Sequence, residues 1–540
     1  MANKNILLVE PDYKNKYPPL GLMKIAQYHG PEGKRDNVTF IKGEDRMVFF
    51  KAWDRIYVTT LFSFEFQRIS ETIDFAIDVA NGNRDKVFVG GIAASLMHER
   101  FTEVPKWKGV RFIKGLLGQA PAVSLQLDEF AEELYSEDRS GTPIEDLIPD
   151  YSILDQIDYK YPVRDAYFTY ASRGCIRKCS FCGVPKLEGD QREVAPITSL
   201  VEGVNRLYGE KKDLILMDNN VVAAANFKEI IAEIRDLGFT RGAKLPRARG
   251  SVRRRVDFNQ GVDARILCKD PMFLRELSTI CIKPLRIAFD HLGLKKPYEK
   301  AIRYAYDNGL TELSNYMLYN FHDSPADLYE RMRLNVDLNL ALNIRIWSFP
   351  MRYQPTDLPT RSHIGEKWTR YQLRSMQIIL QATHGVVSGS PDFFDRAFGA
   401  NVERFENLLL RPHHYIFNRD WYEEMEGKPE FEEYDAKFSQ LTASEKSQLL
   451  GLLSDNETRN YARLVVDKSI NSKLRDVISH HVPLTTAEEM KIWEKQKAIK
   501  KASEVTVPED ELVEDADLSD DSVSRDRQLA EVPTKQLSLI

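Results

Sequence analysis

The chain has 540 residues, 43% hydrophobic and 29% charged, with a formal net charge of −6. That is too long for one core, so about three domains of a soluble globular protein are expected. Five cysteines are too few for a disulfide framework, and no run of about twenty apolar residues offers a membrane span. The first residues lead straight into the strand-like 6–9 run without a leader-like apolar stretch, and a cytoplasmic setting is expected. From Glu504 onward there are eleven acidic and three basic residues, a charge of −8 that leaves the remainder near +2. The net charge therefore makes no case for a nucleic-acid or acidic-surface partner.

Apolar runs recur at 6–9, 38–41, 56–61, 87–89 and 110–113, with helical spacing between them, as in Ile69, Ile73, Ala76 and Ile77. Strand and helix in alternation predict an α/β domain over 1–136, a doubly wound Rossmann-like parallel sheet. Ligands of such sheets gather at the carboxyl ends of the strands, where Tyr17–Gly21 and Val89-Gly90-Gly91 fall. A linker punctuated by Gly141, Pro143, Pro149 and Pro162 follows over 137–165.

The strand-like run 166–171 then delivers Arg173-Gly174-Cys175-Ile176-Arg177-Lys178-Cys179-Ser180-Phe181-Cys182. Three thiols spaced C-x3-C-x2-C on one short loop suit soft metal. A structural zinc site is the alternative, but zinc takes four protein ligands, and no further cysteine or histidine lies near in sequence.

The spacing, with Phe181 just before the last cysteine, resembles the signature of the radical S-adenosylmethionine (radical SAM) enzymes. The resemblance implies that Cys175, Cys179 and Cys182 ligate three irons of a [4Fe–4S] cluster, with the fourth iron open to S-adenosylmethionine. It further implies that the reduced cluster cleaves that cofactor to a 5′-deoxyadenosyl radical, which abstracts hydrogen from a substrate that one chain does not name, a methylation or related modification being among the outcomes. A small reducing electron donor, such as a flavodoxin or ferredoxin, is implied as partner. The N-terminal domain is similar to the cobalamin-binding-like domain that precedes many such enzymes. Its D-x-H-x-x-G motif is absent, since His29 and His98 have other neighbours. Cobalamin is therefore admitted as a cofactor without a histidine ligand to cobalt. Methylthio transfer is disfavoured, because no cysteine precedes Cys175.

Further strand-like runs at 214–217, 258–261, 285–289, 315–319 and 343–348 bring the count of βα units to six. A partial (β/α)6 radical SAM barrel is expected over 166–385, with chemistry on the loops after its strands. Those loops nominate cofactor-binding residues: Phe181 on the cysteine loop, Asp218 and Asn219 after the second strand, Gln260 and Arg265 after the third, Asp290 with His291 after the fourth, and Asn320 after the fifth. Arg265 suits a carboxylate. The competing role for each is capping a following helix.

The seven basic residues between Arg241 and Arg255, unmixed with acids, are expected to form a mobile surface loop on the opposite face; nucleic acid is disfavoured because no aromatic residues alternate with the charges. Residues 348–355 form an aromatic and basic loop at the active face. A helical C-terminal domain is expected over 386–500, with the adjacent His413 and His414 as surface or capping residues, and a disordered acidic tail over 501–540. The rival to an enzyme is a non-catalytic iron–sulfur or zinc-binding interaction protein.

Overall fold

The computed structural model describes residues 3–117, 142–385, 387, 390–456 and 460–504. It divides into two compact units, one of residues 1–321 and 338–363, the other of residues 322–337 and 364–540. Part of the expected linker, 137–141, and nearly all of the acidic tail lie outside the described residues.

The first unit opens with β1 (Asn5–Glu10), α1 (Leu20–His29), β2 (Asn37–Lys42), β3 (Arg55–Thr60), α2 (Phe66–Val79), β4 (Val87–Gly91), α3 (Ile92–Leu96) and β5 (Arg111–Phe112). All five strands are parallel in the order β2-β1-β3-β4-β5. Ile6, Leu7, Leu8 and Val9 are all 0% exposed, which is why β1 is an unbroken apolar run: a strand in the middle of a parallel sheet is covered on both faces. Helix α2 buries Ile69, Ile73, Ala76 and Ile77, one stripe of a 3.6-residue period. At the β4–α3 turn Gly91 has φ +104, and a Cβ there would lie 2.3 Å from the Thr60 carbonyl oxygen, so only glycine fits.

Six more parallel strands follow: β6 (Ala166–Thr169), β7 (Asp213–Leu216), β10 (Val256–Phe258), β11 (Leu285–Arg286), β12 (Glu312–Tyr319) and β13 (Arg345–Arg352). Two ladders, β10-β7-β6 and β11-β12-β13, are joined by isolated parallel bridges Val256–Ile282 and Val262–Ile287. The strands therefore lie side by side in chain order. Helices α4 (Val184–Leu187), α5 (Ile197–Tyr208) and α6 (Phe227–Asp236) fall among the early strands, and α7 (Ala264–Leu267) and α8 (Lys295–Asp307) among the later ones. The expected strand at 258–261 is displaced: the Gly261 N–H bonds the Phe258 carbonyl at 2.8 Å, and Gly261 has φ +80, so the chain turns there.

The basic run is not a loose loop. It forms an antiparallel hairpin, β8 (Lys244–Arg247) and β9 (Gly250–Arg253), with Lys244 opposite Arg253. The like charges are tolerated because other cations of the run are tied to the body. Arg247 bonds Asp165 at 2.7 Å, and Arg254 bonds Glu210 at 2.8 Å while stacking 3.9 Å over the Phe239 ring. Residues 348–352 likewise belong to β13 rather than to a loop.

The second unit is helical, including Arg370–Ala382, Lys428–Ser439, Ala443–Asp455 and Ser472–Ile478. His413 and His414 are not surface residues. His413 stacks on Tyr371 with ring centroids 4.4 Å apart, and His414 packs edge-on to Tyr415. His480 and His481 join them, bonding the Tyr415 and Tyr371 hydroxyls at 2.9 Å each. Among the described residues, no helix is long and apolar enough to cross a membrane.

Candidate active site

The cysteine loop leaves the carboxyl end of β6, and its shape is set by close packing at its base. Gly174 has φ +74, and a Cβ there would meet the Asp190 carbonyl oxygen at 2.2 Å. The Cys175 N–H bonds the Gly189 carbonyl at 3.2 Å and the Cys182 N–H that of Cys179 at 3.0 Å. The loop is two-faced: residues 175, 177 and 179 are half-buried, whereas Ile176, Lys178 and Ser180 are exposed. Backbone N–H groups of Arg177 and Val184 point at the sulfurs of Cys175 and Cys182, at 3.3 and 3.4 Å, an arrangement that favours a charged sulfur.

Burial pushes the Cys179 and Cys182 thiols up; the neighbouring sulfurs add to this, Cys175 at Cys179 and both others at Cys182, with Asp290 raising both further, while Arg265 pulls Cys179 back down. Cys179, Arg265 and Asp290 are thus electrostatic neighbours. Among the described residues, no three His, Cys, Asp or Glu side chains gather as tightly as one metal ion requires. Cys268 Sγ faces its own helix, 3.6 Å from the Arg265 carbonyl.

The other nominated residues divide. Arg265 is held by Asp263, Nε to Oδ1 at 2.8 Å. Asn219 donates to Glu188 at 3.0 Å, and Gln260 is exposed in the turn after β10. Phe181 lies edge-on to Phe321 at 5.7 Å, Phe321 to Tyr353 at 4.7 Å and Tyr353 to His363 at 5.1 Å, an aromatic wall running from the cysteine loop to the segment after β13. His291 is exposed beside Asp290.

Asp218 and Asn320 are placed otherwise than expected. Asp218 is 1% exposed; its carboxylate accepts from the Ala171 N–H at 2.9 Å, the Ser172 N–H at 2.5 Å and the Ser172 hydroxyl at 2.7 Å. It braces the segment leading into the cysteine loop, and burial pushes its carboxyl up to about 6 against those bonds. Asn320 is 0% exposed with φ +69, and its amide donates to the carbonyls of Tyr353 and His363 at 3.2 and 3.1 Å. Both side chains bond backbone groups, which a strand-end position does not reveal.

Two carboxylates that no motif marks do more. Glu188 accepts from Arg173 Nη1 at 3.0 Å, the Gly174 N–H at 2.8 Å and Asn219. Arg173 also bonds Glu145, whose backbone carbonyl accepts from the buried Lys24 of α1, so an alternating chain of charges links the N-terminal sheet domain to the loop's base. Asp263 bonds both Arg177 and Arg265. Tyr17, after β1, reaches Asn259 Oδ1 at 2.8 Å, just past β10.

The histidines of the N-terminal domain, whose neighbours do not fit the D-x-H-x-x-G motif, are His29 and His98. His29 is 0% exposed and bonded to Asp36 and Tyr57, while His98 is half-buried with its basicity lowered by burial. At the carboxyl ends of β1–β3, where the sheet order reverses, a cavity of about 520 Å³ is lined by Asp12, Glu44, Glu65, Glu71 and Arg68.

No family model matches the chain, and no curated protein does. Among solved structures, it is similar to the radical S-adenosylmethionine methyltransferase TsrM from Kitasatospora setae, solved with cobalamin and a [4Fe–4S] cluster bound: 16% identity, TM-score 0.44, covering 66% of this chain and 77% of that one. It is also similar to the cobalamin-dependent S-adenosylmethionine radical enzyme OxsB, at 13% identity and TM-score 0.45, covering 94% and 82%. A third similarity, to Streptococcus suis SuiB, has TM-score 0.27 and covers 41% of this chain. Likeness at these scores does not establish a shared fold.

Proposed function

We propose that this chain is a radical SAM enzyme with a Rossmann-like N-terminal domain and a partial (β/α)6 barrel. The observation that carries the reading is a C-x3-C-x2-C loop at the carboxyl end of the first of six parallel strands in chain order. Cys175, Cys179 and Cys182 would hold a [4Fe–4S] cluster, which when bound supplies the electron that splits S-adenosylmethionine into methionine and a 5′-deoxyadenosyl radical.

The chain's own residues supply the rest. The Arg265 guanidinium, anchored through Nε, offers its outer nitrogens to a carboxylate; Asp290 offers an acceptor for an amino group. The wall of Phe181, Phe321 and Tyr353 gives the cysteine loop an apolar flank. Glu188 and Asp218 hold the loop's base and the segment before it. A flavodoxin- or ferredoxin-type donor is the expected reductant, and hydrogen abstraction the expected first step on substrate. Cobalamin belongs to this reading only as a group held without a histidine on cobalt, and no step is assigned to it.

Anaerobically reconstituted protein with S-adenosylmethionine and dithionite should form 5′-deoxyadenosine, and variants C175A, C179A and C182A should not. A wild type that binds iron yet forms none would favour the non-catalytic iron–sulfur protein; zinc with no iron uptake would favour the zinc-binding one.

A further inference from the structure

The cysteine loop carries its own cation. Arg177 lies between the first two thiols, and its Nε donates to Asp263 Oδ2 at 2.8 Å. The other carboxylate oxygen takes both the Nε of Arg265 at 2.8 Å and its backbone N–H at 2.9 Å. Asp263 is 9% exposed and is held in turn, its own N–H donating to Asn220 Oδ1 at 3.3 Å while its side chain caps α7. One buried carboxylate therefore ties the middle of the loop to the turn after β10.

The same three groups bring one carboxylate and two guanidinium charges together at the loop. The loop's other ion pair, Lys178 with Asp190, has both side chains more than 70% exposed, so water screens it; Asp263, with its side chain 8% exposed, acts in a lower dielectric. Glu188 grips the loop at its base, through Arg173 and Gly174.

We propose that Asp263 is a positioning residue for the iron–sulfur cluster: by holding Arg177 and Arg265 in one ion-paired triad, it fixes the span between Cys175 and Cys179 and the net charge that the cluster experiences. The role rests on the cluster reading above. With Asp263→Asn one negative charge is lost and two guanidinium groups remain, so the reduced, more negative cluster is favoured. The reduction equilibrium should shift about tenfold, ~59 mV upward for a one-electron couple.

The test uses the full chain, reconstituted anaerobically, and reads iron and sulfide per chain, the midpoint potential followed by electron paramagnetic resonance, and the thermal melt of the metal-free protein. D263N with wild-type iron content and a raised potential supports the role. So does D263N that loses iron with an unchanged melt, provided Asp263→Glu restores the iron. Wild-type iron and potential in D263N overturn the proposal and leave the proposed function standing. Loss of iron in both variants with lowered melts also overturns it, assigning Asp263 to the fold alone. A wild type that takes up no iron removes the enzyme reading and this role together.

Discussion

Replacing Arg286 by methionine would remove the cation from an enclosed ion pair of the six-strand region. Arg286 on β11 meets Asp257 on β10 through two parallel bonds, Nε to Oδ1 and Nη2 to Oδ2, both 2.8 Å, and a third bond runs from Nη1 to the Ser314 hydroxyl on β12 at 3.2 Å. The side chains are 9% and 11% exposed. Breaking such a pair strands a buried carboxylate at a cost of about 3–5 kcal/mol, and the lost bond to the Ser314 hydroxyl adds about 1 kcal/mol. At ~1.4 kcal/mol per decade, the unfolding equilibrium should rise by roughly a thousandfold to ten-thousandfold. Urea unfolding of the metal-free full chain, followed by circular dichroism, reads this as an earlier first transition. The double variant D257L/R286M removes both charges and should recover most of the loss, because the attraction in such pairs is largely spent on desolvation. An R286M midpoint within about 0.5 kcal/mol of wild type, or a double variant no more stable than the single, would refute the reasoning.

Gly174→Ala forces a Cβ against the Asp190 carbonyl at 2.2 Å in a backbone of φ +74; iron retention should fall several-fold while the helical unit's melt stays unchanged. Asp218, with its carboxyl raised from 3.8 to about 6, binds its proton more tightly folded than unfolded. Its contribution of roughly 3 kcal/mol is therefore fully present below pH 4 and lost as pH rises through 6, a slope that D218N should flatten in stability-versus-pH curves. The histidines of the helical unit work in the opposite sense. Burial lowers His414 to about 4 and depresses His480 and His481 as well, so they stabilise the unit above their unfolded value near 6.5 and withdraw that stability as pH falls towards 4. Near-ultraviolet circular dichroism of the tyrosine-rich core should lose intensity over that interval, and H414F should move the loss to lower pH.

Much of the first unit was legible because strand burial is written in local composition. The 6–9 and 87–89 runs are buried strands and the 38–41 run is a strand at the sheet's edge, and the cysteine loop follows the first of the later six strands as its position implied. What the sequence hid is pairing at a distance. Glu188 is fourteen residues from its partner Gly174, Asp263 eighty-six from Arg177, and Tyr17 two hundred and forty-two from Asn259; no local pattern marks such partners. Asp218 and Asn320 occupy strand ends, as site residues do, yet their side chains are spent on backbone donors and carbonyls. The basic run read as a loop because its glycines look like breakers, whereas at positive φ Gly250 opens the second strand of a hairpin. His413 and His414 looked like a surface pair because the histidines that share their tyrosine partners lie more than sixty residues downstream.

The central claim is tested most directly by Mössbauer spectra of protein reconstituted with ⁵⁷Fe, recorded before and after S-adenosylmethionine is added. The account predicts a [4Fe–4S] signal absent from the C175A/C179A/C182A triple variant, in which one iron alone changes its isomer shift when S-adenosylmethionine binds. A cluster whose irons all stay unchanged, or a triple variant that loads iron normally, would contradict it.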